Sequence, residues 1–450
     1  MSSQRKHIIF GSFNAEKFWR SPLNGLLPSF RDEQADVIVG AMDEMQFVFS
    51  KADESLTVTR FAMNHAHLGY LAELGFRFSN IGITNIDNTA QDTETEQSTT
   101  TALCLKVEHG GPLNGLKNQY LKLDPYALTP DHPRLTDLLD PDAFFPGAEA
   151  VKKVNSKVFS TIVSEELGKG AGGIVVNSTG ALQQHAEVML HKSALIIKDP
   201  FGVSGNGNIL IKKDVTLRSI IKHLLHQEHS GKLIEFVLEP FLDKQTDFSC
   251  QGLIDETGAF EILSFHIMHN EKFRFSGIER ADGPFIKKLE ALGYIAYITT
   301  AAGSIFKSGY FGPVCIDSMI LANGDLIPVV EINARKSMGL INHSLFMFLS
   351  DLNKNLKCRM LTLNFMVSYR LRFDQLLKGL KEDGLLFLNG MRAGILPLSA
   401  NTVDINSRIM ADGPFKARFY YHVIYTTFTE YVSLQEKMQL FFEKLSLKII

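Results

Sequence analysis

Two stretches of this 450-residue chain combine residue types capable of chemistry. In Ser193-Ala-Leu-Ile-Ile-Lys-Asp-Pro-Phe-Gly-Val-Ser-Gly-Asn-Gly-Asn-Ile-Leu-Ile-Lys212, Lys198 closes an apolar strand, where an ammonium is costly unless it meets an anion. Gly202, Gly205 and Gly207 leave the following turn nearly free of Cβ atoms, so backbone N–H groups can close over phosphate oxygens, and Ser204 adds a hydroxyl donor. A plain glycine-rich hairpin with a lysine at a strand end is the bland alternative. In the second stretch, Gly312 to Arg335, two apolar strands joined near Asn323-Gly324 carry Asp317, Glu331 and Asn333, polar groups where a core strand is normally apolar.

The hairpin register decides whether those three groups meet. Glu331 and Asn333 are two apart and share a face. A two-residue Asn-Gly turn pairs Asp317 with Val330 and turns it away; a three-residue loop, Ala322 to Gly324 with Gly324 left-handed, pairs Asp317 with Val329 and brings all three together. Three oxygen ligands on one rigid face suit Mg²⁺, which takes its remaining ligands from water and phosphate. Arg335, just beyond, is placed to sit beside those phosphates. A structural ion-pair network is the competing reading. The one formal G-x-G-x-x-G match, Gly168, Gly170 and Gly173, follows a helix and precedes a strand, the wrong order for a dinucleotide site.

Both constellations lie in one chain, separated by Glu235-Phe-Val-Leu-Glu239-Pro-Phe-Leu-Asp-Lys-Gln-Thr-Asp247, and this order resembles the ATP-grasp superfamily over roughly residues 150–345. The resemblance implies that Lys198 contacts the ATP phosphate and adenine, that Glu239 and Leu242 form the adenine hinge and that Asp247 meets the ribose. It implies Asp317, Glu331 and Asn333 as Mg²⁺ ligands, and Lys157 as the other phosphate lysine. Asp247 stands where Glu is commoner, and Cys315 where some members place a basic residue; stabilisation of an acyl-phosphate then falls more on Arg335 and on the segment from Lys272-Phe-Arg274 to Arg280. Arg274 and Arg280 are candidate clamps for a substrate carboxylate, with solvated surface arginines as the alternative. Glu331-Ile-Asn-Ala-Arg-Lys-Ser-Met-Gly339 looks most like the amino-acid and peptide ligases of microbial natural-product pathways. The activity implied is ATP-dependent ligation, with a carboxylate activated as acyl-phosphate and passed to an amine. Transfer to the thiol of an acyl carrier protein, phosphoryl transfer to a non-carboxylate acceptor and a non-catalytic nucleotide-binding scaffold are the alternatives.

The elements that must position these residues read as α+β. The first 150 residues are expected to form an α/β unit, with runs at His7–Phe10, Ala35–Val39 and Phe61–Leu74, a mobile loop over 88–101 and an irregular stretch from Pro112 to Pro146. Residues 151–350 give helices 157–167, 180–190, 215–228 and 284–306 and strands 173–177, 194–198, 208–212, 233–239, 248–255 and 259–266, then a loop holding the two arginines and the hairpin 313–333. Ser156 and Asn155 are the candidate N-caps of the first of these helices. Residues 351–450 are expected to form a small C-terminal α+β subdomain with a helix around 368–379 and strands 385–388, 394–397 and 417–425. Its final helix should open on a Ser433/Glu436 capping box and bury a stripe of Leu434, Met438, Phe441 and Leu445.

Composition sets outer bounds. Apolar residues make up 45% and charged residues 21%, typical of a folded globule, and the net charge of −3 gives no long-range attraction to nucleic acid or acidic lipid. The four cysteines show no metal or disulfide spacing, so buried thiols in a reducing compartment are expected. No apolar run reaches the roughly 20 residues that span a bilayer, and a cytoplasmic enzyme is the expectation.

Overall fold

The structure, a computed structural model, describes residues 6–29, 32–50, 55–84, 97–108, 113–118, 121–202, 207–271 and 274–450. Its described residues form three sheets. The first, of order β3-β2-β1-β4, joins β1 (Lys6–Phe10), β2 (Ser55–Thr59), β3 (Ser79–Gly82) and β4 (Leu121–Pro125), all parallel. Ile8, Ile9 and Phe10 are all fully buried, as a parallel sheet covered on both faces requires. The Ala35–Val39 run is helical, within Glu33–Gly40. Two other expectations need correcting: the 112–146 stretch holds β4 and the helix His132–Leu139, and Thr99 to Thr101 start the helix Thr99–Glu108 instead of ending a loop, because Thr99, Thr100 and Leu103 are buried. Residues 88–96 lie outside the described residues.

The second sheet is antiparallel, of order β5-β8-β6-β7: β5 (Ile174–Val176), β6 (Leu195–Lys198), β7 (Asn208–Ile211) and β8 (Phe236–Pro240). Helices Thr179–Leu190 and Asp214–His229 bury Leu182, Leu217 and Leu224 against Leu195, Ile197 and Ile211, one closed core. Strand and helix positions agree with the sequence reading within a few residues.

The third sheet is nine-stranded and antiparallel, with β9 (Lys244–Ile254), β10 (Phe260–Glu271), β11 (Arg274–Arg280), β12 (Gly312–Leu321), β13 (Leu326–Asn333), β14 (Lys357–Val367), β15 (Gly394–Pro397), β16 (Phe415–Tyr425) and β17 (Lys448–Ile449). Its path runs β13-β12-β9-β10-β11-β14-β16-β15, with β17 on β14. The arginine-bearing loop is therefore a strand: Ile278 is buried, and the polar neighbours on either side hid its alternation. Helix 284–306 is two helices, Gly283–Ala291 and Tyr294–Lys307, meeting at 75° where Gly293 takes φ +69°. No single helix among the described residues is long and apolar enough to cross a membrane.

Residues 351–450 are joined to the preceding segment by sheet pairing, because β14 bonds to β11 through Gly277, Ile278 and Glu279. Within them, Leu385–Leu388 makes a single bridge, Leu386 to Ile395, and Gly394 passes so close that a Cβ on it would lie 2.7 Å from Phe387 Cα. The helix expected around 368–379 runs Phe373–Glu382, and the last helix, Phe428–Lys444, starts earlier than the Ser433 box, on a capping box of Thr427 and Glu430. Its Leu434, Met438 and Phe441 are buried as expected. All four cysteines are buried free thiols.

Candidate active site

The β12–β13 hairpin follows the three-residue-loop register near its tip, pairing Met319 with Ile327 and Ile320 with Leu326, with Gly324 at φ +89°. A bulge then shifts the pairing by two, so Asp317 faces Glu331 and Cys315 faces Asn333. The shift falls at Pro328, which has no N–H for a ladder and so favours a bulge on an edge strand; Ser318 Oγ donates to its carbonyl at 2.8 Å. A shift of two preserves sidedness, so Asp317, Glu331 and Asn333 share one face. Asn333 Nδ2 donates to Asp317 Oδ2 at 3.0 Å.

The outer edge of β13 is closed by a helix. Ser164 Oγ donates to Val329 O at 2.6 Å, Ser160 Oγ accepts from Ile332 N at 3.0 Å and Asn155 Oδ1 accepts from Ala334 N at 2.9 Å. Side chains on and just before the helix Lys157–Glu166 thus satisfy backbone groups that an absent neighbouring strand would bond. Ser156 caps that helix by accepting from Val158 N, which fixes Lys157 at its first turn. From there the buried Lys157 Nζ donates to Glu331 Oε1 at 2.9 Å and to Gly202 O at 2.7 Å.

Across the sheet the polar face continues. Glu331, Asp317, Ser249, His266 and Arg280 are directly opposite one another on five successive strands, and Asn333, Cys315, Gln251 and Ser264 form a second row two residues along. Asp247, opposite Met319 and Met268, lies on the same face and accepts from Asn270 Nδ2 at 2.8 Å while pairing with Lys244. Ser249 and His266 went unread in the sequence because Ser249 sits beside the apolar Phe248 and Cys250, and a lone strand histidine carries no spacing signal.

Charge is dense here. Lys198, at the end of β6, pairs with Glu239 Oε2 at 2.5 Å, so the hinge-candidate glutamate meets the lysine directly. Arg335 donates to Glu16 Oε1 through Nε at 2.9 Å and to Asn333 Oδ1 through Nη2 at 3.0 Å. Lys336 is paired with Asp124 at 2.6 Å, and Arg20 with Asp199 at 2.5 Å. The N-terminal unit thus supplies Glu16, Asp124 and Arg20, which no motif flagged because they lie far away in sequence. Burial, reinforced by Glu331, lifts the Asp317 carboxyl to about 7. Burial acts the same way on Glu331, but Lys157 foremost, then Lys198 and Arg335, hold it below the usual carboxylate range. Burial acts against the Arg335 charge, yet Glu16 keeps its guanidinium above the ordinary value.

Of the remaining expected residues, Leu242 follows β8, half-buried, and Gly207 needs to be glycine: its φ is +86° and a Cβ would lie 3.0 Å from Gly202 Cα. Ser204 and Gly205 fall outside the described residues. Arg274 and Arg280 stand at opposite ends of β11, their backbones roughly 20 Å apart at about 3.3 Å per residue.

A divalent cation fits the donor set. Two carboxylates face one another with an amide beside them, all hard oxygen donors, and Lys157, Lys198 and Arg335 stand nearby for the anions that would complete the shell.

The fold that joins the small antiparallel sheet to the large one recurs in solved structures. The structure is similar to N5-carboxyaminoimidazole synthetase from Staphylococcus aureus complexed with ADP, at TM-score 0.54 and 13% identity over 97% of both chains. The chain has the ATP-grasp fold. L-amino acid ligase from Bacillus licheniformis is similar at TM-score 0.51 and 11% identity, over 100% of this chain and 99% of that one. Biotin carboxylase from Campylobacter jejuni, solved as its β-γ-ATP complex, is similar at TM-score 0.51 and 11% identity, over 94% of this chain and 88% of that one. In sequence, a butirosin acyl-carrier protein–L-glutamate ligase of Niallia circulans is 23% identical over 318 residues, 70% of this chain and 69% of the relative. No protein-family model matches the chain.

Proposed function

We propose that this protein is an ADP-forming ligase that activates an amino-acid or peptide carboxylate with ATP and passes the acyl group to an amine. The single observation that carries the reading is the Asp317–Glu331 pair, opposed on one face and reached by Lys157 from one side and within the electrostatic reach of Lys198 from the other. Opposed acids next to converging cations suit transfer of a phosphoryl group whose oxygens carry the developing charge.

Asp317, Glu331 and Asn333 would hold Mg²⁺, which when bound supplies Lewis-acid neutralisation of the phosphates. Lys198 and Lys157 bind and orient the phosphates from two sides, with the backbone at Gly202 and Gly207 beside them. Glu239 and Leu242 line the adenine side and Asp247 the ribose side. Arg335, held by Glu16, keeps a fixed positive charge beside the acyl-phosphate, where a guanidinium suits a planar oxyanion. Arg274 remains a candidate contact of the substrate by its place at the start of β11. No nucleophilic side chain is needed, since the buried thiol of Cys315 is pushed up, by burial first and Asp317 next, and stays protonated.

A second reading is supported by the Niallia circulans relative, whose name says it loads L-glutamate onto an acyl carrier protein. There the same acyl-phosphate would be displaced by a carrier thiol. Incubation with ATP, Mg²⁺, a panel of amino acids and hydroxylamine, reading ADP and hydroxamate together, tests activation. Repeating it with free amines and with a phosphopantetheinylated carrier separates the acceptors. Absence of carboxylate-dependent ADP release across the panel would overturn the proposal.

A further inference from the structure

The polar row does not end at the acids. Three strands away, Arg280 lies with its guanidinium against the Phe346 ring at 4.4 Å, its Nη1 buried and without a hydrogen-bond partner. No ion pair of Arg280 occurs among the described residues; its strand neighbour Glu279, on the opposite face, is taken by Arg359 and His269. His266, directly opposite Arg280, is fully buried with neither ring nitrogen bonded, and His343 Nδ1 and Ser264 Oγ are likewise buried and unbonded. Unbonded buried polar atoms are uncommon in folded proteins, and here they gather on one sheet face under the helix Met338–Leu352. That helix is drawn down on the row: Ser337 Oγ donates to Gln251 Oε1 at 2.5 Å, and a Cβ on Gly339 would stand 2.3 Å from Gln251 Nε2.

The charges agree. Burial lowers the Arg280 pKa, with only Cys358 acting to raise it, and burial keeps His266 neutral, at about 3, with His343 and Arg280 acting in the same direction. Of the acids, Glu261 alone bears on this group, through His343. A half-buried cation with its Nη1 buried and no counter-anion, flanked by two imidazoles with buried unbonded nitrogens, suits one planar anion. Phosphate, with higher charge, is served by the lysines at the other end of the row. Asp317 and Arg280 are three strand spacings apart on one face, about 14 Å between backbones.

We propose that Arg280, with His266 and His343, forms a second anion subsite that holds a carboxylate of the substrate other than the one being phosphorylated, so that the preferred substrate is a dicarboxylic amino acid. The proposal rests on the carboxylate-activating reading above. Calorimetry on the full chain with MgADP present, using L-glutamate against L-glutamine and L-aspartate against L-asparagine, tests it. At least one acid should bind on the order of tenfold or more tighter than its amide, the scale of one charge-assisted bond. Arg280→Gln should erase that preference while ADP affinity, which reports an intact fold, stays unchanged, and Arg280→Lys should keep part of it. Equal binding of acid and amide, binding of none of the four, or an unaltered preference in Arg280→Gln overturns the subsite. Preferential binding of an acid without any ADP release leaves the subsite standing and sinks the ligase reading, whereas hydroxamate formation from monocarboxylates at equal KM does the reverse.

Discussion

Asp317 on β12 and Glu331 on β13 are direct cross-strand partners, two carboxylates opposed on one sheet face with Lys157 bonded to the second. Like charges directly opposite one another are destabilising, so the pair makes physical sense as a cation site.

Glu331→Gln keeps the volume and removes one charge. ADP release at saturating Mg²⁺ should fall by at least ~10²-fold, the scale of losing one electrostatic stabiliser, with an unchanged circular dichroism spectrum. Turnover at the original rate would show the pair to be a structural network.

Lys198→Ala removes the buried cation at the end of β6 and leaves Glu239 without its partner. ATP affinity by calorimetry should drop by at least about tenfold, since bonds to charged groups contribute ~1.5–3 kcal/mol. Equal affinity in the variant would make Lys198 a packing residue.

Ser160→Ala takes the acceptor from the Ile332 amide and leaves it buried and unbonded. Urea unfolding should show a loss of about 1–3 kcal/mol without a change in slope. A loss within error would mean that water takes over the bond.

His67 is buried, its Nε2 bonded to Pro397 O at 3.1 Å, and burial lowers its pKa to about 4. Between about pH 6.5 and 4 the unfolded chain binds a proton at this residue that the folded chain does not, so the histidine's contribution is complete above 6.5 and declines as pH falls. The stability difference between the wild type and His67→Gln should therefore shift against the wild type by about 2 kcal/mol between pH 7.5 and 5, at ~1.4 kcal/mol per unit. A difference independent of pH would show that His67 protonates without unfolding.

What the sequence made legible was local. Lys198, Asp317, Glu331 and Asn333 interrupt apolar alternation, which marks them without any partner in view, and the helix and strand periods of residues 157–229 are strong enough to read directly. What stayed hidden was pairing at a distance. Arg335 meets Glu16 across 319 residues of chain, and the row through Ser249, His266 and Arg280 exists only once four strand registers are set. The strand β14 was unread because its alternation, Lys357-Cys-Arg-Met-Leu-Thr-Leu-Asn, mixes polar and apolar residues on both faces, its Arg359 being answered by the distant Glu279.

The seal on the outer edge of β13 assigns the two lysines to different sheets. Asn155, Ser160 and Ser164 fasten the Lys157 helix to the sheet that bears the acids, whereas Lys198 rides on the small sheet, connected through the glycines at 168–173 and through Pro240. Lys157 therefore bridges the two sheets, bonded to Glu331 on one and to Gly202 O beside the other, whereas Lys198 is held within the small sheet by Glu239.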